Sequence, residues 1–179
     1  MSLTIKIDCD GVLRDLLPQM CKVYNEHFNE HIEPENVLEY DLTNTFHKCM
    51  DIDGMTPNIW FFQEHILDIY VQSDACHKAK EAMDILHKKG YHIVIVSHQP
   101  KNWHQSATLL WLEINDIYYD SICFTNNKNM VLGDIIVDDN IEFLDICKNE
   151  RKILIDAPYN RDNNKYEKFK NLFEFVKTL

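Results

Sequence analysis

Leu3-Thr4-Ile5-Lys6-Ile7-Asp8-Cys9-Asp10-Gly11-Val12-Leu13 runs from an apolar strand pattern straight into an acidic turn that contains glycine. An extended chain puts the carboxylates of Asp8 and Asp10, at i and i+2, on the same side. Gly11 lets the backbone turn away sharply. A second apolar run, Tyr91-His92-Ile93-Val94-Ile95-Val96-Ser97, is too continuous for a half-exposed strand and reads as a central parallel strand covered on both faces. Strand patterns follow at 121–125, 134–139 and 152–156, with helical stretches at 74–89 and 101–114. Ser73 or Asp74 would cap the first of these helices and Gly90 would end it. Residues 163–179 read as a closing amphipathic helix, with RDNNKYEKFK as its exposed, charge-paired face. The alternation predicts an α/β fold: a doubly wound, Rossmann-like parallel sheet of about five strands flanked by helices.

The stretch between the first two strands is too long for a simple crossover. Leu16, Met20, Val23, Tyr24 and Phe28 give helical periodicity from Asp15 to about Asn29, and Pro18 fits the first turn. Residues 30–58 are polar and irregular, broken by Pro34, Gly54 and Pro57, before an aromatic helical stretch from Ile59 to Tyr70. We therefore expect a small helical cap over 16–73, inserted into a core of 1–15 and 74–179. Hinges would lie near 14–16 and 72–75.

With 179 residues, 45% of them apolar, the chain suits one globular domain with a small inserted lobe. A net charge of −11 argues against nucleic-acid polymers and anionic membranes as partners. It leaves a small phosphorylated molecule open, because a bound cation and local donors can outweigh the global field. No run approaches the roughly 20 apolar residues that span a bilayer. The start of the chain is too short and too soon acidic for a secretory signal. Six scattered cysteines without a C-x-x-C pair read as reduced, mostly buried thiols of a cytoplasmic protein. A homodimer is compatible with the sequence, which does not set the oligomeric state.

Four segments carry the candidate chemistry. In Asp8-Cys9-Asp10-Gly11 one carboxylate can attack while its neighbour handles a proton. The spacing alone is not specific: Asp51-Ile52-Asp53-Gly54 repeats it, but follows His47-Lys48-Cys49-Met50, which is no hydrophobic strand, and so reads as a loop. Ser97 ends the second strand, where a hydroxyl and backbone N–H groups can hold a phosphoryl oxygen. Lys128 precedes the fourth strand; a lone lysine is most often solvated. Asp138-Asp139 ends that strand. Adjacent carboxylates are costly to bury without a cation, and a hard divalent ion, with Mg²⁺ the best fit beside a phosphate, meets that cost.

In that order, strand-DxDG, strand-Ser, Lys, strand-DD, the sequence resembles the haloacid dehalogenase superfamily over most of its length. Phe124-Thr125-Asn126-Asn127-Lys128-Asn129-Met130-Val131-Leu132-Gly133-Asp134-Ile135-Ile136-Val137-Asp138-Asp139-Asn140 is similar to the matching segment of the 5'(3')-deoxyribonucleotidase family. The resemblance implies a Mg²⁺-dependent phosphatase, with Asp8 as nucleophile of an aspartyl-phosphate intermediate and Asp10 as general acid and base. Asp8, the Asp10 carbonyl, Asp138 and Asp139 would hold Mg²⁺. Ser97, His98 and Lys128 would contact phosphate, and the cap would recognise a nucleoside, with Trp60 the candidate stacking residue. Related enzymes carry a Lys where this chain has Thr108, which removes a cation unless Lys101 supplies it. Another small phosphorylated metabolite, a 3'-phosphate end, or a non-catalytic phosphate-binding relative are the alternatives.

Two further patterns read more simply. His27-Phe28-Asn29-Glu30-His31 matches a zinc-protease pattern, but lies at a frayed helix end beside Pro34 and lacks a third ligand. The cap aromatics other than Trp60 read as a plain core.

Overall fold

The computed structural model describes residues 3–179. Its helices are α1 (Leu16–Phe28), α2 (Pro57–Ile59), α3 (Ile66–Tyr70), α4 (Ala79–Lys88), α5 (Asn102–Ile114), α6 (Ile141–Ile146) and α7 (Leu172–Val176). A π-helical turn, Trp60–Glu64, bridges α2 and α3. The strands are β1 (Thr4–Ile7), β2 (His92–Ser97), β3 (Ser121–Phe124), β4 (Ile135–Asp138), β5 (Arg151–Ile155) and β6 (Glu167–Phe169). They form one all-parallel sheet in the order β3-β2-β1-β4-β5-β6. Ile7 is opposite Ile95 on one side and Val137 on the other, so β1 is central.

The continuous apolar runs follow from burial on both faces. Ile5, Ile7, Ile95, Val137, Ile153 and Ile155 face one core with Trp111, Leu112 and Phe175. Ile136 and Leu154 face the other with Leu144 and Cys147. Successive residues of a strand point to opposite faces, which separates Ile136 from Ile135 and Val137. From β1 the chain builds outward through β2 to β3, then returns to the opposite side of β1 for β4, β5 and β6. That reversal opens a crevice beyond the carboxyl ends of β1 and β4, where open α/β sheets bind ligands.

Between β1 and α4 the chain leaves and returns through one narrow junction. Asp15 N–H donates to the Asp74 carbonyl at 2.9 Å, Cys76 N–H donates to the Leu13 carbonyl at 2.7 Å, and Arg14 bridges Ala75 in antiparallel fashion. The residues beyond it build an apolar cluster of their own around Tyr24, Phe46, Trp60, Phe61 and Ile69, joined by Ala107 of α5.

Three expectations are corrected. The sheet has six strands, not about five. The expected helix over 163–179 is β6 plus the short α7: β6 pairs with the outer edge of β5, and the Asn171 side chain accepts from Glu174 N–H to start α7 afresh. The charges of that segment pair with other elements, Glu167 with Arg151, Lys165 with Asp145 and Lys168 with Asp156. The helix expected at 74 begins at Ala79, because residues 73–76 make the junction. Ser73 does not cap it; its hydroxyl donates to the Ile69 carbonyl at 2.6 Å. Gly90, at φ +80°, does follow the end of α4. No helix among the described residues is long and apolar enough to cross a membrane.

Candidate active site

Asp8 lies one residue past β1, with its N–H donating to the Val137 carbonyl at 3.0 Å. Asp138 is the last residue of β4, and Asp139 follows. Oxygens from these three carboxyls lie within 4.8 Å of one another, and they are the one such cluster among the described residues. Gly11 is required by the packing here. It sits at φ +77°, and a Cβ on it would stand 2.0 Å from Asp139 Oδ2.

Lys128 inserts its ammonium between two of these groups, 2.6 Å from Asp138 Oδ2 and 3.0 Å from Asp8 Oδ1. The second approach is too oblique for a hydrogen bond and leaves Asp8 Oδ1 buried without one. Burial works against the Lys128 charge, but Asp8 and Asp138 outweigh it and raise its pKa. The lysine sits in a 3-10 turn, Lys128–Met130, capped by Asn127. Beneath that turn the buried Lys6 donates to the carbonyls of Lys128 and Val131 at 2.9 and 3.1 Å. The lysine is therefore placed from two sides, by its carboxylate partners and by a second lysine under its backbone.

Burial pushes the Asp8 carboxyl well above its usual range against the pull of Lys128, and Asp138, Asp139 and Asp10 add to the rise. Burial, then Asp138, pushes Asp139 up to about 7, while Tyr159 and Lys128 hold it down. Tyr159 donates its hydroxyl to Asp139, and Asn160 donates to the Asp139 carbonyl at 2.8 Å. Asp138 Oδ1 accepts from Asn140 N–H at 3.0 Å. Crowded buried carboxyls, one with an unsatisfied oxygen, are a donor set for a hard divalent cation, which prefers oxygen ligands. The residues present thus fit a metal ion.

Ser97 is buried at the end of β2, and its hydroxyl accepts from Gln99 Nε2 at 3.1 Å. His98 is exposed beside it, its ring 6.5 Å from that of Phe143; partial burial and the Lys128 ammonium push its pKa below the usual range. Trp60 must be corrected. It is 2% exposed, walled in by Tyr24, Phe28, Phe61 and His65 at 4.2–5.8 Å between ring centroids, and has no free face for a base. Lys101 is exposed; the cation that reaches Thr108 is Arg14, whose Nη2 donates to its hydroxyl at 3.2 Å.

Sequence reasoning missed three residues. Arg14, wholly buried, pairs with Asp10 at 2.6 Å. Gln99 donates to the other Asp10 oxygen at 2.8 Å. Tyr159 reaches Asp139 from the loop after β5. An arginine four residues past an aspartate was a readable signal for the first; nothing local marks the other two.

Acidic groups and a buried lysine thus meet at the switch point of this parallel sheet. A protein described as a haloacid dehalogenase-like hydrolase from Burkholderia xenovorans LB400 shares the fold, with TM-score 0.63 and 12% identity over 98% of this chain and 95% of that one. The profile of the family "5' nucleotidase, deoxy (Pyrimidine), cytosolic type C protein" matches residues 2–178, and the chain belongs to that family. It is similar to the 5'(3')-deoxyribonucleotidase of Bacillus subtilis strain 168, at 27% identity over 100% of this chain and 99% of that one. A 5'(3')-deoxyribonucleotidase of Clostridium acetobutylicum is 28% identical over 96% of this chain and 91% of its own.

Proposed function

We propose that this chain is a Mg²⁺-dependent phosphomonoesterase that releases phosphate from (deoxy)nucleoside monophosphates through an aspartyl-phosphate on Asp8. The observation that carries it is the convergence of Asp8, Asp138, Asp139 and Lys128 in one buried cluster at the switch point of the sheet. Membership of a nucleotidase family supports the nucleotide as substrate.

Asp8 attacks phosphorus, and an acyl-phosphate splits one difficult displacement into two easier ones. Asp10 protonates the leaving oxygen, then takes a proton from the water that hydrolyses the intermediate. Lys128, with Ser97 and His98 at the rim, binds phosphoryl oxygens and stabilises the charge of the transition state. Asp8, the Asp10 carbonyl, Asp138 and Asp139 would hold Mg²⁺, whose charge lets an anionic nucleophile meet an anionic phosphate. Residues 16–73 act as the cap that closes over small substrates. Tyr40, whose ring meets that of Tyr159 edge-on at 5.5 Å, belongs to this cap side and stands at the mouth of the site.

Phosphate release from a panel of deoxynucleotides, ribonucleotides and sugar phosphates tests the proposal. We expect Mg²⁺-dependent turnover of nucleoside monophosphates that Asp8→Asn abolishes. Turnover of sugar phosphates alone would remove the nucleotide part.

A further inference from the structure

Asp10 is gripped at both oxygens. Arg14 donates Nε to Oδ1 at 2.7 Å, and its Nη2 lies 2.6 Å from the same atom. Gln99 donates Nε2 to Oδ2 at 2.8 Å. A carboxylate offers about four lone-pair sites. The guanidinium takes one on Oδ1 through Nε–H and crowds the other with Nη2, and the amide takes one on Oδ2, so the open site is on Oδ2. Arg14 lies against Oδ1 and is 0% exposed, where the Asp10 side chain keeps 24%.

The grip is itself set by Tyr70, at the end of α3. The Tyr70 ring lies 3.9 Å from the guanidinium carbon, and its carbonyl accepts from Nη1 at 3.4 Å. Its hydroxyl donates to Gln99 Oε1 at 2.9 Å, which turns the amide N–H groups toward Asp10 and Ser97. Thr108 and the Trp111 ring, 5.4 Å away, close the other side of Arg14. A buried charge held this fully fixes both its own position and that of its partner.

We propose that Arg14, oriented by Tyr70, is a positioning residue that confines proton transfer by Asp10 to Oδ2. The inference rests on the reading of Asp10 as acid and base. A proton on Oδ2 leaves both Arg14 contacts at Oδ1 intact. In the first half-reaction that proton passes to the leaving oxygen as the bond to phosphorus breaks with its electron pair. In the second, Oδ2 takes a proton from the water whose oxygen bonds to phosphorus as the phosphorus bond to Asp8 breaks. Without Arg14 the carboxyl can rotate and offer either oxygen, and both halves slow.

The test compares a deoxynucleoside monophosphate with p-nitrophenyl phosphate, whose leaving group departs without a proton. Arg14→Met should release about one equivalent of p-nitrophenol per site at the wild-type rate, then turn over about 10²-fold more slowly, the scale of a general acid–base contribution. On the nucleotide it should show no burst and lose about 10²-fold or more in kcat with KM little changed. Arg14→Lys should restore part of both. Thr108→Val, which keeps the packing and removes one guanidinium contact, should show the same split at smaller amplitude and carries the test if Arg14→Met does not fold. Burst and turnover falling by equal factors, or neither changing, would overturn the inference while leaving the phosphatase reading standing. A wild-type protein that cleaves nothing on the panel would instead overturn that reading, and this inference with it.

Discussion

Asp8-Cys9-Asp10-Gly11 and Asp51-Ile52-Asp53-Gly54 share a pattern, and both glycines have positive φ, +77° and +71°. Everything else differs. The first follows a central strand, and its aspartates meet Lys128, Arg14, Asp138 and Asp139. The second starts on the last residue of a surface 3-10 turn, His47–Asp51; both its aspartates are exposed, and nothing lies within 4 Å of where a Gly54 Cβ would be. A four-residue motif therefore has no chemistry of its own here. Its neighbours confer it, and they arrive from β2, β4, α5 and the loops after β3 and β5.

The comparison is broken most directly by matched substitutions. Asp8→Asn should cost on the order of 10⁴–10⁶-fold in phosphate release, the scale for removing a covalent nucleophile, whereas Asp51→Asn should leave turnover within twofold or so of wild type. Turnover that survives Asp8→Asn would mean that the buried copy is not the active one. Next come the glycines. Any side chain at φ near +70° costs about 1–2 kcal/mol, so Gly54→Ala should lose roughly that much in a denaturant titration. Gly11→Ala pays the same strain and also displaces Asp139, for a total of about 3 kcal/mol or more. A Gly11→Ala loss no larger than that of Gly54→Ala would show that Asp139 moves aside freely.

The contrast also marks what the sequence could carry. The apolar runs ending at Asp8, Ser97 and Asp138 were legible because burial on both faces imposes composition, and the parallel direction of the strands follows from their alternation with helices. The surface copy was separable from the buried one by what precedes each. Three things were not legible. The edge strand β6 has only three residues and a charged composition suited to its half-exposed position, so it carries no apolar run. The bare start of α4 at Ala79 depends on the backbone junction with Arg14, a contact between positions 14 and 75 that no local pattern announces. Trp60 offered an aromatic face to the eye, but whether such a ring is a wall or a stacking surface depends on Tyr24 and Phe28, which reach it from α1. Arg14 and Gln99 likewise acquire meaning only when Tyr70 brings them together.

A smaller effect sharpens the comparison through the cation. Mg²⁺ at about 100 times its dissociation constant should stabilise the folded protein by about 2.7 kcal/mol, seen as a rise in Tm. Asp138→Asn should abolish the rise and Asp53→Asn should preserve it. A rise that survives in Asp138→Asn would place the ion elsewhere.

The smallest predicted effect tests how the site is held before the ion arrives. The Tyr159 hydroxyl donates to Asp139, and a hydrogen bond to a charged group contributes about 1.5–3 kcal/mol. Tyr159→Phe should therefore lower stability by about 1–2 kcal/mol in metal-free buffer. With saturating Mg²⁺ the loss should shrink, because a cation satisfies the same carboxylate. A loss unchanged by Mg²⁺ would show that Tyr159 supports the loop after β5 through its ring, against Tyr40, rather than through Asp139. The surface motif at 51–54 has no such carboxylate cluster beside it among the described residues, so substitutions there should leave the response to metal unchanged although the two tetrapeptides share every residue type that their pattern specifies.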